Sequence, residues 1–598
     1  MNRKWIAIAC VVSCALVLLN LWDNRDLFDP EGITYLDLAD AYRRGDWRAA
    51  LVGHWSPLYP WLIGMTLFIF DPPAQWEFSA VHALNFFIFL LAFASFGVFM
   101  REFLRAKNET AAETAAETAA NRLPDWAWLA LGYSLFTWSV IRLIPLHQPE
   151  PDLLICALVY FIFAMFLRLR SGTATWGNSI FLGVALGLGY LTKPVMFPMA
   201  FVCIAVAVLL AGRSAEKQRK VAASFAVFLL LCLPFAVVLS TVNGRWMLSD
   251  AGRLNYAWDV NQVKPFAHWQ GEEGVHGTPV HPTKKIHDDP PMYEFGTPFK
   301  ATYPPWYNPG YWYEGVEPRV DLQRQMSRTL ANGKNLFYFL ASSTGSVTSW
   351  PEYGPLDGRD RTVGPLATLL CLMVVAAVLG RVPLWRGIAA QWFVLVPIAA
   401  ILAAYAVLHI EGRFIAPYVV VLWLILFRAV AIPRSKESRT TFTAVVACAA
   451  LITVFTVVSE SGRAAVNMAR FPASGEEQTA FLQSGYSNWK VASYLRDAGV
   501  RPGDTVGSVA WSFSAYWARM ARVRIVAEVP SDFDFSTAEW FSAAEKRAAV
   551  MQRFRDLGVK AVVAKHLPDG SAPASWRHIA GTPYHVYVFD QTRTSSVE

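Results

Sequence analysis

Runs of apolar residues long enough to cross a bilayer recur along most of this chain, and they limit its fold more than any other feature. A hydrocarbon core of roughly 30 Å asks a helix for about 20 mostly apolar residues. Every backbone N–H and C=O inside lipid must also find its partner within the spanning structure. Such runs fall at about 5–22, 78–100, 126–144, 153–167, 176–191, 195–210, 221–242, 363–379, 388–408, 414–427 and 442–458. With 54% of its 598 residues apolar and 17% charged, the chain reads as an integral membrane protein of about eleven spans.

Lysine and arginine give the orientation, because basic residues near span ends stay on the cytoplasmic side. Starting with Arg3 and Lys4 inside predicts cytoplasmic loops at 101–122, 168–177, 213–220, 381–386 and 428–439, and each of these is basic. The apolar stretch 58–70 is only 13 residues long, and counting it as a crossing would put the basic 101–122 loop outside, so it is expected as a juxtamembrane or re-entrant helix. Trp22-Asp23-Asn24-Arg25 offers no small-residue cleavage site, which makes 5–22 a retained first span. All seven cysteines lie in or at the ends of expected spans, so no disulfide is expected in the external segments. The net charge of +7 comes mostly from the inside-positive loops and is no argument for nucleic-acid binding.

Two long segments stand outside this pattern, both on the expected external side. Residues 243–362 are rich in Pro, Gly and aromatics and show little helical or strand periodicity. Their aromatic density argues against disorder and suggests a cover over the external mouth. Residues 484–598 alternate helix and strand, with strands expected at 505–509, 523–529, 559–564 and 585–589 and helices at 489–498, 513–521 and 537–557. This predicts a small α/β domain with a mainly parallel sheet. It has no glycine-rich phosphate loop. The repeat beginning at Glu109, Glu113 and Glu117 reads as a polar helical spacer in a cytoplasmic loop.

The residues that carry chemistry gather at the external ends of the spans. Asp29 and Glu31 follow the first span, with Asp37 and Asp40 farther along an expected helix, and the run from His54 to Pro60 re-enters the membrane. A second acidic group, Glu150-Pro151-Asp152, lies between the third and fourth spans. A solvated, helix-capping acidic stretch is the plain alternative, and Asp152 after a proline suits the first turn of a helix equally well. Lys193 and Arg413 are basic residues on the less basic side, near prolines at span ends. They suit the holding of an anion, although snorkelling to the interface accounts for them too. His54, before a tryptophan, reads either as a packing residue or as a contact to phosphate or metal. His268, His276, His281, His287, Asp288 and Asp289 match no standard zinc spacing.

In order along the chain, Glu31-Gly32-Ile33-Thr34-Tyr35, His54-Trp55-Ser56-Pro57-Leu58-Tyr59-Pro60, Pro151-Asp152-Leu153-Leu154, Leu191-Thr192-Lys193-Pro194 and His409-Ile410-Glu411-Gly412-Arg413-Phe414-Ile415-Ala416-Pro417 resemble the GT-C superfamily of membrane glycosyltransferases. That superfamily includes protein O-mannosyltransferases and the lipid A aminoarabinose transferase. The resemblance covers residues 1 to about 433 and departs at one point, where Pro30 splits the acidic pair that is adjacent in the family. Either Asp29 or Glu31 is then the catalytic carboxylate, and the spacing to Tyr35 favours Glu31.

The resemblance implies a GT-C-like polytopic α-helical membrane protein of about eleven spans with a C-terminal periplasmic α/β domain. Its segments are an N-terminal membrane module 1–242 with a catalytic first external loop 23–57, an external loop 243–362, membrane helices 363–458 and the domain 484–598. It implies inverting sugar transfer, on the periplasmic face of a bacterial inner membrane, from a polyprenyl-phosphate donor to a glycan, lipid or protein acceptor. Glu31, Asp29 and Asp152 would be catalytic, and Tyr35, His54, Glu150, Lys193 and Arg413 would bind substrate. No cofactor is required, a divalent metal is optional, and no metal ligands are nominated. Membrane lipids are partners and nucleic acid is not. A transporter or flippase for a lipid-linked saccharide stays open, although no repeated halves are visible and the charges sit at span ends rather than deep in spans. So does a non-catalytic scaffold of a polysaccharide assembly complex.

Overall fold

The computed structural model describes residues 3–24, 30–112, 123–144, 146–265, 268–271, 276–341, 374, 384–429, 436–470, 485–510, 512–530, 541–565, 567 and 572–589. Asp29 and, apart from Val374, the expected span 363–379 lie outside these residues. The protein is a polytopic α-helical membrane protein followed by a C-terminal domain built on a β-sheet. Among the described residues six segments are long and apolar enough to cross a membrane: Lys4–Trp22, Ala74–Ala106, Asp152–Arg170, Ala215–Val242, Gly412–Ala429 and Thr440–Ser459. Leu58–Phe70, Met196–Ala211 and Trp392–Val407 are shorter apolar helices. Large apolar side chains such as Val11, Leu230 and Phe455 stand exposed on these helices, a surface that suits lipid rather than water.

Other expected runs took different forms. The run 126–144 becomes the helix Asp125–Trp138 followed by a π-turn over Ser139–Leu143. The run 176–191 becomes the 17-residue helix Trp176–Thr192. Hydropathy marks where lipid is tolerated but not where the i→i+4 ladder changes. Between the first long helix, α1 (Arg3–Asp23), and Leu58–Phe70 lies α2 (Pro30–Arg43), which packs against Leu58–Phe70. Proline at its first position suits the opening turn, where an N–H has no helical partner.

The segment after residue 242 is more regular than its composition suggests. It holds the helix Ala251–Asp259, the strands β1 (Lys284–Asp288) and β2 (Pro291–Glu294), and the 20-residue helix Leu322–Ala341. The hairpin joins the sheet of the C-terminal domain, whose own strands are β3 (Thr505–Val509), β4 (Arg524–Val529), β5 (Ala561–Lys565), β6 (Arg577–His578) and β7 (Tyr584–Val588). The order is β1-β2-β4-β3-β5-β7-β6. Only β4/β3 and β3/β5 are parallel, so the sheet is mixed rather than mainly parallel. Strand positions follow from local pattern, whereas pairing partners are set by the tertiary fold.

One face of the sheet packs on the helix Ala544–Asp556 through Val509, Val562, Val550 and Phe554. The other face, with Val506, Ile525 and Val563, belongs to the same continuous apolar cluster as the membrane helices. Aromatics of the intervening segment, Trp306 and Tyr313 among them, bridge the two parts.

Candidate functional site

A cavity of about 750 Å³ opens where α2, the Glu150–Asp152 turn, the C-terminal end of the Trp176–Thr192 helix and the residues before the Gly412–Ala429 helix converge. Glu31, Tyr35, His54, Glu150, Asp152, Lys193 and Arg413 all line it. These are the sequence-nominated residues that fall among the described ones; Asp29 does not.

The acidic turn is held from behind. Asn85, on the helix Glu77–Ala112, donates its amide to the carbonyls of Leu146 and Gln148 at 2.8 and 3.1 Å and accepts the Tyr59 hydroxyl at 2.8 Å. His82, one turn earlier, hydrogen-bonds the His147 carbonyl at 2.8 Å. From the other side α2 presses against the turn at Gly32. A Cβ there would stand 2.5 Å from Pro149 Cγ and 3.2 Å from Phe78. Glycine therefore sets how near the first turn of α2, with Glu31, comes to Glu150 and Asp152. Tyr35, one turn on, stacks edge-on with Trp55 and Tyr59 at 5.1 and 5.3 Å. Burial pushes the Tyr35 hydroxyl well above its usual range, and the charges of Glu31 and Asp152 push it the same way.

Both cations are held inward by carboxylates. The Trp176–Thr192 helix ends at Lys193, whose backbone turns extended and whose Nζ lies 2.5 Å from Asp152 Oδ1 and 4.0 Å from the Phe414 ring centroid. Arg413 pairs with Glu150 and, at 2.5 Å, with Glu411. Side-chain exposures of 15% for Lys193 and 13% for Arg413 fit an inward site better than snorkelling.

The same wall carries a second group of charges, in which His409 and Glu411 of the quoted run meet Asp259 and Arg328, two residues that sequence reading did not single out. Arg328 Nη2, from the helix Leu322–Ala341, lies 2.5 Å from Asp259 and 3.1 Å from His409 Nδ1. His409 Nε2 lies 2.8 Å from Glu411. Burial alone would push the His409 pKa down, but its hydrogen bonds to Asp259 and Glu411 outweigh that and raise it to about 9. The two carboxylates thus favour the protonated ring. His54 is the opposite case: burial, with Trp55, Trp258 and Trp306 around the ring, lowers it to about 4.

The arrangement places carboxylates able to take a proton beside cations able to hold an anion, in a pocket partly walled by aromatic rings. Among the described residues no group of three or more His, Cys, Asp or Glu converges as a metal site. Three of the four histidines of the 243–362 segment go to separate partners. His268 sits 2.6 Å from Glu528, His281 stacks on Tyr311 at 4.1 Å, and His287 bonds the Pro290 carbonyl.

No family model matches the chain, and no curated protein matches it in sequence. Among solved structures it is similar to ArnT from Cupriavidus metallidurans bound to undecaprenyl phosphate, at 14% identity over 98% of each chain with a TM-score of 0.48. The same enzyme in the apo state gives 14% identity over 98% of this chain and 97% of that one, with a TM-score of 0.47. The oligosaccharyltransferase of Archaeoglobus fulgidus, in complex with Zn and sulfate, is 14% identical over 94% of this chain and 68% of its own, with a TM-score of 0.48. At that identity and overlap these likenesses carry no argument about activity.

Proposed function

We propose that this chain is a membrane glycosyltransferase that moves a sugar from a polyprenyl-phosphate donor to an acceptor hydroxyl, with inversion at the anomeric carbon. The observation that carries the reading is the convergence of Glu31, Asp152, Lys193 and Arg413 on one cavity from four separate parts of the chain. In this reading Glu31 takes the acceptor's hydroxyl proton as the acceptor oxygen attacks the anomeric carbon. The bond from that carbon to the phosphate oxygen breaks, and its electron pair leaves with the phosphate. Lys193 and Arg413 meet the charge that grows there, in a pocket where fixed cations need little reorganisation. Asp152 holds Lys193 and orients the acceptor, Glu150 and Glu411 hold Arg413, and Tyr35 and His54 shape the sugar pocket. Asp29 is the alternative base. No step calls for a metal.

In this reading the N-terminus lies in the cytoplasm and the cavity, with the C-terminal domain, on the periplasmic side of a bacterial inner membrane; the inside-positive loops support the orientation. The acceptor is a glycan, lipid or protein.

The test is release of polyprenyl phosphate from a panel of radiolabelled polyprenyl-phosphate sugars by purified wild type, Glu31→Gln and Asp29→Asn, with donor binding measured alongside. Loss of release in one variant with donor binding intact supports the reading and names the base. Donors that neither bind nor react with wild type, or two variants equal to wild type, overturn it.

A further inference from the structure

The face of α2 turned away from the cavity carries a second ionic cluster, and its cations come from the far end of the chain. At about 100° per residue, Asp40 lies about 180° round the helix from Glu31 and roughly 13 Å along it. Arg519, on the helix Tyr516–Met520 between β3 and β4, has 3% of its side chain exposed. Its Nε and Nη2 each donate to Glu77 at 2.9 Å, and its Nη1 reaches Asp37 at 2.9 Å and Asp40 at 2.7 Å. Arg522 adds contacts to Asp40 at 3.3 Å and to Glu77 at 2.6 Å. Asp37 also accepts the Thr302 backbone N–H at 2.7 Å and its hydroxyl at 2.9 Å. One buried knot therefore joins α2, the start of the Glu77–Ala112 helix, the 243–362 segment and the C-terminal domain.

We propose that Arg519 is a positioning residue for the base, so that the C-terminal domain sets the orientation of α2 and, through it, of the Glu31 carboxylate. This rests on Glu31 acting as the base. A bidentate guanidinium fixes direction as well as distance, which a lysine in its place would not. α2 is short; it packs along Leu58–Phe70 and closes on Pro149 at Gly32, and the grip on Asp37 and Asp40 ties its second half to the C-terminal domain. A tilt pivoting there moves Glu31 against the acceptor hydroxyl, and a misplacement of about 1 Å is enough to cost about a hundredfold in rate. A plain staple between domains predicts lower stability with unchanged turnover. Positioning predicts lower turnover at unchanged donor affinity.

The experiment uses full-length protein in nanodiscs, comparing wild type with Arg519→Met and Arg519→Lys. It follows release of polyprenyl phosphate from undecaprenyl-phosphate-linked hexoses and pentoses and amide exchange over residues 30–43. Arg519→Met is expected to lower kcat about 10- to 100-fold with donor KM within about threefold and faster exchange in α2, and Arg519→Lys to recover part of kcat. A folded Arg519→Met with kcat within about twofold of wild type overturns the proposal, as does a loss confined to KM. Should Arg519→Met fail to fold, Arg522→Met removes only the half-exposed arm of the knot. It is expected to lower kcat about threefold at unchanged KM, and unchanged kcat overturns the proposal. A wild type inert on every donor overturns the transfer reading itself, a result distinct from active wild type and equally active variants.

Discussion

The two faces of α2 carry charges of similar kind in opposite circumstances. On one face, Glu31 borders a cavity of about 750 Å³ shared with Asp152, Lys193 and Arg413. On the other, Asp37 and Asp40 are packed against the buried Arg519, and Asp37 has Thr302 as a further donor. Both clusters bear the cost of taking charge out of water. The closed one recovers it in fixed hydrogen bonds, while the open one leaves room for a ligand whose charge and protons complete it. Burial and pairing alone therefore do not separate a site from a staple; unfilled space beside the charges does.

Four substitutions press on that contrast. Glu31→Gln keeps shape and removes the proposed base, and transfer is expected to fall by about 10²–10⁴-fold with donor binding retained, as single-turnover assays would read. Arg519→Met leaves three carboxylates facing one remaining guanidinium, and breaking such a buried pair is expected to cost about 3–5 kcal/mol, seen as a lowered midpoint in thermal unfolding. If Arg519→Met instead leaves stability intact while Glu31→Gln unfolds the protein, the roles of the two faces are exchanged. Lys193→Met is expected to weaken binding of free polyprenyl phosphate by about tenfold, since a charge-assisted contact is worth roughly 1.5 kcal/mol or more; equilibrium binding would check it.

The smallest effect concerns His409. Its pKa stands at about 9 against an ordinary 6.5, so its contribution to stability is fully present below about pH 6.5 and is lost as pH rises through about 9. Thermal melts of wild type between pH 7 and 10 should show an alkaline decline that His409→Gln flattens.

What was legible in the sequence followed local rules. Apolar runs announce spans because lipid leaves a helix little choice, and β3, β4, β5 and β7 appeared within a residue or two of their alternating patterns. Glu31, Tyr35, His54, Glu150, Asp152, Lys193 and Arg413 were singled out by motif and span-end placement, and they border one cavity. Asp259 and Arg328 were missed because each looks like an ordinary solvated charge until a helix from residues 322–341 is recognised. The spacing of Leu322, Met326 and Leu330 was the available signal. Arg519 gave no signal, since its three partners lie more than four hundred residues away. The β1–β2 hairpin was hidden because an edge hairpin with Lys284, Lys285 and Asp288 lacks strand alternation.

That hairpin has a consequence for how the protein is made. β2 pairs with β4, yet more than two hundred residues, including membrane helices, separate Glu294 from the start of β3 at Thr505. At ribosomal speeds of roughly 5–20 residues per second, the hairpin waits roughly ten to forty seconds for its sheet. Conversely, a C-terminal fragment expressed without residues 284–294 would present β4 as a bare edge, open to pairing with other chains.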